Sequence, residues 1–394
     1  MIARIVTWAV EKRWLVLLLT VIVAAIGAFS LYRLPIDAVP DITNNQVQIN
    51  VRAPALSPEL VEKQVSFPIE TALAGTPGLE YTRSLSRNGF AQITAVFSDA
   101  TDIYFARQQV GERLRGVQEN LPDGVNPEMG PIATGLGEVY MYTVRLDHRE
   151  DDKHKPGEPG QQPDGSYITP EGERLTTEED KATYLRTAQD WIVTPLLKTT
   201  PGLAGVDSIG GYAKQFLVVP DVQKLASLGI TLTDLGNALE RNNTSVGGGF
   251  VNRNGEGLAV RSDALVRNAS ELARTVIATR NGVPITVEQV ATVKTGQAIR
   301  MGSASENGTE VVVGTAIMRI GENSRIVSTA VAEKLKTINA SLPPDVVIQP
   351  VLNRTELVNS TIKTVAKNLS EGAVLVIVVL FLLLGNFRAA LIAA

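Results

Sequence analysis

The sequence contains no cysteine and only two histidines among its 394 residues. Without cysteine the chain can form neither a disulfide nor a thiolate metal site, and it has no cysteine nucleophile. Both histidines, His148 and His154, lie in one polar stretch, so no Ser-His-Asp triad or catalytic zinc site can be assembled around them. We therefore expect the protein not to be an enzyme and to carry no cofactor.

Clustered positive charge is missing as well. The formal net charge is -4, and lysine and arginine form no patch of the kind that binds nucleic-acid phosphates. We expect no nucleic-acid partner. The mean hydropathy of +0.08 conceals two very apolar ends around a polar middle, and the length allows two or three domains.

The C-terminal end is strongly apolar. Residues 372–387 carry no charge and are hydrophobic on all sides rather than along one stripe. Since a membrane span needs about 20 residues, we predict a transmembrane helix that begins near Ile362 and ends at Arg388. A buried core helix is the alternative. Residues 389–394 are apolar again, like the start of a third span.

The N-terminal end carries a second apolar segment, residues 14–32, between Arg13 and Arg33. A cleaved signal peptide is the alternative to a span here. Basic residues precede this segment and Arg388 follows the C-terminal one, so the positive-inside rule places both ends in the cytoplasm. The middle of the chain, to about Thr361, is then extracytoplasmic, and the lipid bilayer is a partner.

Two internal repeats organise that middle. Thr76-Pro77-Gly78-Leu79 recurs 124 residues later as Thr200-Pro201-Gly202-Leu203. A second match, 221 residues apart, joins two apolar helix faces with spacings of 3, 4 and 7, each ended by Leu-Pro. Its members are Ala106, Val110, Leu114, Val117 and Leu121 in one copy, and Val327, Val331, Leu335, Ile338 and Leu342 in the other.

Each copy reads as strand, helix, strand, strand, helix, strand, which is a split-βαβ, ferredoxin-like unit with its helices on one face of the sheet. Pro68 is expected to kink the first helix. The offset between matching residues of the two copies grows from 124 to 221 along the chain. This increase predicts a third, α/β subdomain inserted in the second unit. The glycine triplet at 247–249 and the Asn-Arg-Asn-Gly stretch at 252–255, around Phe250 and Val251, predict a flexible hairpin tip. This tip is either a surface loop or an arm that reaches a neighbouring subunit. Asn281-Gly282 predicts a two-residue hairpin. Residues 147–181 are predicted to form a solvated excursion.

The chain resembles the resistance-nodulation-division pumps, and within them the heavy-metal efflux branch of the cobalt-zinc-cadmium (Czc) type. The resemblance runs the whole length of the chain. It is carried by Leu-Pro-Ile-Asp-Ala-Val-Pro-Asp-Ile-Thr at 34–43, Pro-Gly-Leu at 77–79, Ser-Leu-Ser-Arg at 84–87, Thr-Asp-Ile at 101–103, Gln-Asp-Trp at 189–191, Ile-Gly-Gly at 209–211 and Asn-Phe-Arg at 386–388.

The resemblance implies a fold with membrane helices at the ends and two porter subdomains plus an inserted docking subdomain in the periplasm. The implied boundaries are 1–33 for the cytoplasmic N-terminus and first span, 34–133 for the first porter subdomain, 134–210 and 306–360 for the second, 211–305 for the docking subdomain, 361–388 for the second span, and 389–394 for the start of the third.

The same resemblance implies a homotrimer in the bacterial inner membrane, joined to a periplasmic adaptor and an outer-membrane channel. The expected activity is proton-driven export of divalent cations such as zinc, cobalt or cadmium. Family members have twelve spans, and an intramembrane carboxylate is functional by default. Neither apolar segment here contains one, so we expect an N-terminal portion that does not pump alone. An extracytoplasmic sensor domain between two spans is the alternative.

Glu138 is the candidate metal ligand, because it lies at the junction of the two copies, where a substrate cleft would open. Its alternative is an exposed carboxylate at the start of a strand. His148 and His154 could bind a divalent ion loosely, although a solvated charge run explains them as well. Asp37 and Asp41 are expected to be structural. The five methionines form no evident thioether site for Cu(I).

The charge asymmetry around the two apolar segments generates a test of topology. A reporter fused after Thr169 should behave as periplasmic, and one fused after Ala394 as cytoplasmic. Paired alkaline phosphatase and fluorescent-protein fusions measure this directly. Fluorescence without phosphatase activity at Thr169 would end the transporter interpretation.

Overall fold

The computed structural model describes residues 8–33, 43–147, 156–253, 255–280, 282–300, 302–385 and 388. An N-terminal helix, α1 (Arg13–Arg33), and a C-terminal helix, α10 (Arg354–Leu384), flank a mixed α/β middle. Asp37, Asp41, His148, His154, the Asn-Phe pair of 386–388 and the apolar residues 389–394 lie outside the described residues.

The first unit (residues 46–129) is one antiparallel sheet covered on one face by two helices. Its elements are β1 (Gln46–Arg52), α2 (residues 58–73), β2 (Leu79–Arg87), β3 (Phe90–Phe97), α3 (Ile103–Val117) and β4 (Asn126–Met129). The sheet order is β2-β3-β1-β4. Alternate residues of β1, namely Val47, Ile49 and Val51, are buried against the helices, so the period-two pattern sets which face is covered.

The second unit (residues 138–209 and 304–353) repeats this order. Its elements are β5 (Glu138–Leu146), α4 (residues 178–197), β9 (Leu203–Ile209), β17 (Thr309–Met318), α9 (Ser324–Ser341) and β18 (Val346–Asn353). The strands run β9-β17-β5-β18, and a short strand, β16 (Ala304–Glu306), pairs with the start of β17. Position for position this matches β2-β3-β1-β4 of the first unit.

The repeated helix faces occupy equivalent places in the two cores. The residues of the 221-residue repeat in α3 and α9, with the leucine that follows each helix, are all buried. Asp102 caps α3 by accepting from the backbone N–H of Phe105 at 2.9 Å, and Asn323 caps α9 at the matching position. Burying one such leucine stabilises the fold by about 1.5–3 kcal/mol.

The Thr-Pro-Gly-Leu turns also match in detail. The Thr76 N–H donates to the Leu73 carbonyl at 3.1 Å, and the Thr200 N–H donates to the Leu197 carbonyl at 2.9 Å. Gly78 and Gly202 both have positive φ, and a Cβ at Gly202 would lie 2.6 Å from Val327 Cγ2. Glycine is required here by backbone conformation and by close approach.

The turn after each Leu-Pro differs in one informative residue. Gly124 and Asp345 stand at equivalent positions, with φ of 77° and 57°. A non-glycine residue in this left-handed region costs roughly 1–2 kcal/mol. Asp345 is fully buried, and its carboxylate accepts from the Gln161 N–H at 2.6 Å. That bond holds an additional piece of chain that the first unit does not have.

This additional piece corrects the predicted solvated excursion at 147–181. Its described part forms a three-stranded sheet, β6 (Gly160–Gln161), β7 (Tyr167–Ile168) and β8 (Arg174–Leu175). Tyr167 is fully buried in the core of the second unit, and its hydroxyl donates to the Pro344 carbonyl at 2.8 Å. Two-residue strands are too short to show apolar periodicity, so the pattern failed to predict them.

Both helices that contain an internal proline include a π-helical turn. In α2 the segments are Pro58–Val61, the π turn Glu62–Ser66, and Phe67–Leu73; in α4 they are Glu178–Ala188, the π turn Gln189–Val193, and Thr194–Leu197. Pro68 and Pro195 each lie two residues after the turn. Proline lacks an N–H and crowds the carbonyl four residues earlier, so the wider turn accommodates it.

The insert (residues 214–297) forms a separate core between β9 and β16. Its elements are β10 (Lys214–Pro220), α5 (Val222–Leu228), α6 (Leu232–Arg241), β11 (Ser245–Arg253), β12 (Glu256–Asp263), α7 (Ala269–Ala273), β13 (Val276–Arg280), β14 (Val283–Thr286), α8 (Val287–Val290) and β15 (Ala291–Gln297). The predicted two-residue hairpin is confirmed, since Arg280 pairs with Val283; Asn281 itself lies outside the described residues. The predicted hairpin of the 247–255 stretch is confirmed in part, since β11 and β12 pair antiparallel up to Arg253 and Glu256, so the chain turns between these two residues. The glycine triplet itself lies within β11, at a register shift.

The long helix α10 differs from the prediction at both ends. It begins at Arg354, about two turns before Ile362, because Asn353 caps it with a bond from the Thr355 N–H at 3.0 Å. It ends at Leu384, because Gly385 adopts a left-handed C-cap, and not at Arg388. At 31 residues it is about 46 Å long, which exceeds a hydrocarbon core of about 30 Å.

Among the described helices, Arg354–Leu383 is the one long and apolar enough to cross a membrane, and none of its most apolar window is buried in the protein. The core-helix alternative is therefore wrong. Arg13–Gly27 is a shorter apolar stretch, with Trp14 77% exposed.

The equivalence of α3 and α9 predicts equal sensitivity to a buried charge. Leu114→Asp and Leu335→Asp should each lower the free energy of unfolding by several kcal/mol, because both side chains are almost fully buried within clusters of apolar residues. Thr337→Asp, on the exposed face of α9, is the matched control and should be nearly neutral. Urea unfolding followed by circular dichroism measures all three, and a silent change at either leucine would contradict the repeat register.

Candidate functional site

Glu138 is the first residue of β5 and is exposed. The neighbouring Val139 is fully buried, so strand alternation directs Glu138 away from the core of the second unit. Its backbone pairs with Ile317 at a register shift in β17. Among the described residues, no ion-pair partner of the Glu138 carboxylate is found. Glu138 lies directly after the segment that joins the two units.

The junction (residues 130–137) is the segment that connects the first unit to Glu138. Its first residue is held by the first unit in two ways. The Gly130 N–H donates to the Gln48 carbonyl at 2.8 Å, and the Arg107 guanidinium in α3 donates to the Gly130 carbonyl, also at 2.8 Å. The junction thus starts as a continuation of the β1–β4 edge.

The second unit holds the other end of the junction. The Ile320 N–H donates to the Ile132 carbonyl at 3.1 Å, and the Met318 N–H donates to the Gly137 carbonyl at 2.7 Å. A Cβ at Gly137 would lie 3.0 Å from the Thr134 carbonyl oxygen and 3.1 Å from that of Met318. The backbone is therefore packed so closely that only glycine fits without a shift.

A guanidinium from α10 completes this attachment. Arg354, the first residue of the helix, donates from Nη1 to the Leu136 carbonyl. Sequence reasoning missed both Arg107 and Arg354, because each acts on a backbone carbonyl far away in the chain. For Arg107 the sequence offers one signal, its position in the repeat. At the 221-residue offset it aligns with Ser328, which is buried in the second unit.

Burial shapes the electrostatics around the junction. Partial burial lowers the pKa of Arg107, although a guanidinium stays charged near neutral pH. Burial also raises the pKa of the Tyr140 phenol, and the negative charge of Glu356 in the first turn of α10 raises it further.

The described residues contain no group of three or more His, Asp or Glu side chains arranged to hold a metal ion. Divalent ions that are bound tightly take four or more ligands. Glu138 by itself supplies one carboxylate, so the structure neither completes nor excludes the predicted metal site. The ligand role of Glu138 remains a prediction.

Two grooves lie outside the junction. One, of about 800 Å³, runs between α2 and α3 and is lined by Phe67, Pro68 and Arg113 among others. The other, of about 690 Å³, separates the second unit from the insert, and the Lys214–Glu173 ion pair crosses it at 3.3 Å. Burial, followed by the charge of Glu171, raises the pKa of Tyr184 in this groove to about 12.

The chain is similar to known proteins over its whole length. Residues 5–394 match the model of the AcrB/AcrD/AcrF family. The chain is 58% identical over 396 residues to the nickel-cobalt-cadmium resistance protein NccA of Alcaligenes xylosoxydans xylosoxydans, covering 100% of the chain and 37% of that protein. It is 49% identical over 394 residues to the cobalt-zinc-cadmium resistance protein CzcA of Cupriavidus metallidurans, with 100% and 35% coverage.

A solved structure agrees with these matches. The crystal structure of a heavy metal efflux pump superposes with a TM-score of 0.82 and 32% sequence identity, over 98% of this chain and 36% of that one. The chain thus spans little more than a third of the length of the proteins that it matches.

Proposed function

The chain belongs to the AcrB/AcrD/AcrF family, and from that premise we propose that it is the N-terminal part of the inner-membrane subunit of a proton-driven pump that exports divalent heavy-metal cations. The observation that carries the proposal is its likeness, over the whole chain, to resistance proteins for nickel, cobalt, cadmium and zinc. The cation is cargo and not a resident cofactor. The protein moves it and catalyses no covalent step, so it is a transporter rather than an enzyme.

Three separate clusters of buried apolar residues support the proposed domain roles. One lies in the first unit, one in the second, and one in the insert. In our proposal the first two units are porter subdomains, with boundaries at 34–133 and at 134–210 plus 306–360. The insert, 211–305, is half of a docking domain for the periplasmic adaptor and the outer-membrane channel.

Both apolar helices are proposed to cross the inner membrane. Helix α10 exceeds the hydrocarbon thickness by about 16 Å, so its first ten or so residues would stand above the bilayer and carry the second unit. Helix α1, with 21 residues, is about 31 Å long and matches the thickness itself. The large middle then lies in the periplasm.

The hairpin β11–β12 supports a homotrimer. Phe250 is 80% exposed, and Val251 and Leu258 on the same hairpin are also exposed. The insert carries a groove of about 530 Å³ lined by Phe216, Val218, Leu239 and Leu272 among others. An exposed aromatic arm beside an apolar groove fits an exchange between copies, because a ring of three uses the same two surfaces at every interface.

Trimer formation through this arm has a direct test. Phe250→Ser should lower the trimer fraction of the purified chain in detergent, because it removes the largest exposed apolar side chain of the hairpin. Phe67→Ser, an exposed aromatic substitution in the first unit, is the control and should leave the trimer fraction unchanged. Light scattering with correction for detergent gives the mass, and an unaltered trimer in Phe250→Ser would contradict the role of the arm.

Glu138 is proposed to contribute one carboxylate to a cation site completed by other parts of the pump. The test uses a chimera in which this sequence replaces the corresponding part of the cobalt-zinc-cadmium relative. Glu138→Gln should reduce zinc tolerance of a metal-sensitive strain, since the amide keeps the shape but removes the charge. Expression and assembly should be unchanged.

Glu119→Gln, an exposed carboxylate of the first unit, is the matched control and should leave tolerance intact. If the Glu138→Gln and parent chimeras confer equal zinc tolerance, Glu138 is not a cation ligand but an exposed carboxylate at the start of a strand. A parent chimera that confers no tolerance, although it is expressed and assembled, would contradict the proposed function itself.

A further inference from the structure

The long helix follows the second unit without a linker. Asn353 is both the last residue of β18 and the N-cap of α10. Its side-chain oxygen also accepts from the Ser328 hydroxyl at 2.9 Å, and Ser328 is fully buried in α9. The start of α10 is thus fixed to the sheet and to a core helix, so the second unit and the helix form one continuous body.

The first unit reaches the second unit through the junction, whose two ends are each bound by one guanidinium. Arg107 of the first unit binds the Gly130 carbonyl, and Arg354 of the long helix binds the Leu136 carbonyl. Between these two carbonyls the path is a short piece of backbone held at Ile132.

The chemistry of the Arg354 contact suits a mechanical connection. A guanidinium keeps its charge at all relevant pH values and presents its donors in a rigid plane, whereas a lysine ammonium is a flexible point donor. The accepting carbonyl is next to Gly137, where the backbone leaves no space for a Cβ. When the first turn of α10 moves, the Leu136 carbonyl is therefore expected to move with it, because the closely packed backbone at Gly137 leaves little room for a local rearrangement.

We propose that Arg354 is a positioning residue that couples the membrane helix to the junction, so that the first unit follows the tilt of α10. Glu138 is already joined to the helix through β5 and the second unit. The coupling is a property of the chain itself and does not need a metal ion. Its consequence for export, that motion in the membrane reaches the first unit beside Glu138, rests on the proposed function.

The absence of native cysteine from the chain makes a distance measurement direct. Spin labels at Glu119→Cys in the first unit and Lys363→Cys in α10, both exposed, report the coupled distance in the 394-residue chain in lipid nanodiscs. A second pair, Glu178→Cys and Ala340→Cys, reports the second unit alone. Pulsed electron resonance then gives a distance distribution for each pair.

In Arg354→Gln the first distribution should widen about twofold, because the direct bond from α10 to the junction is lost and the backbone bonds of Ile132 and Gly137 to the second unit are left to hold the junction alone. The second distribution should stay unchanged. Arg354→Lys should restore part of the narrow distribution. Arg325→Gln removes a nearby exposed guanidinium of α9 and should match the parent.

An unchanged first distribution in Arg354→Gln would overturn the proposal. Widening of both distributions would also overturn it, since Arg354 would then be needed only for folding of the second unit. Neither reading depends on transport, so these results are separate from the zinc-tolerance test of Glu138.

Discussion

The structure depends on one arrangement used twice, the burial of a helical apolar face against a four-stranded antiparallel sheet. Successive residues of each strand face alternately the helices and the open side of the sheet, and a Leu-Pro sequence follows the second helix of each unit. Each unit buries its own cluster of apolar residues, and the stabilisation from that burial grows with the apolar area removed from water. The chain can then place additional pieces, such as the insert, between elements of a unit that is already stable.

Much of the fold of the two units could be predicted from the sequence, because the two copies of the repeat can be compared with each other. The Thr-Pro-Gly-Leu turns, the helix faces and the strand order follow from local periodicity and from residues with restricted backbone geometry. The three-stranded sheet at 160–175 was missed because it is anchored by distant groups, Pro344 and Asp345, and not by its own pattern. The true start of α10 was missed because hydrophobicity identifies the apolar part of a helix and not the polar turns that precede it.

The candidate site was predictable only in part, for a similar reason. Glu138 could be chosen from its place between two repeats, but its surroundings consist of backbone carbonyls and guanidinium groups from remote elements. Sequence patterns show which side chains are present and not which carbonyl a long arginine reaches. The junction is accordingly a structural result, and it explains why an exposed carboxylate can have a fixed position.

Asp345 shows how one copy of a duplicated unit diverged from the other. Its equivalent, Gly124, tolerates the left-handed turn but has no side chain to offer, whereas Asp345 accepts the strain and binds Gln161 with its carboxylate. A lengthening of the chain after β5 could therefore be anchored in the second unit and not in the first. The two units thus share one backbone turn, and only in the second does the turn residue have a side chain that fastens an added sheet to the core.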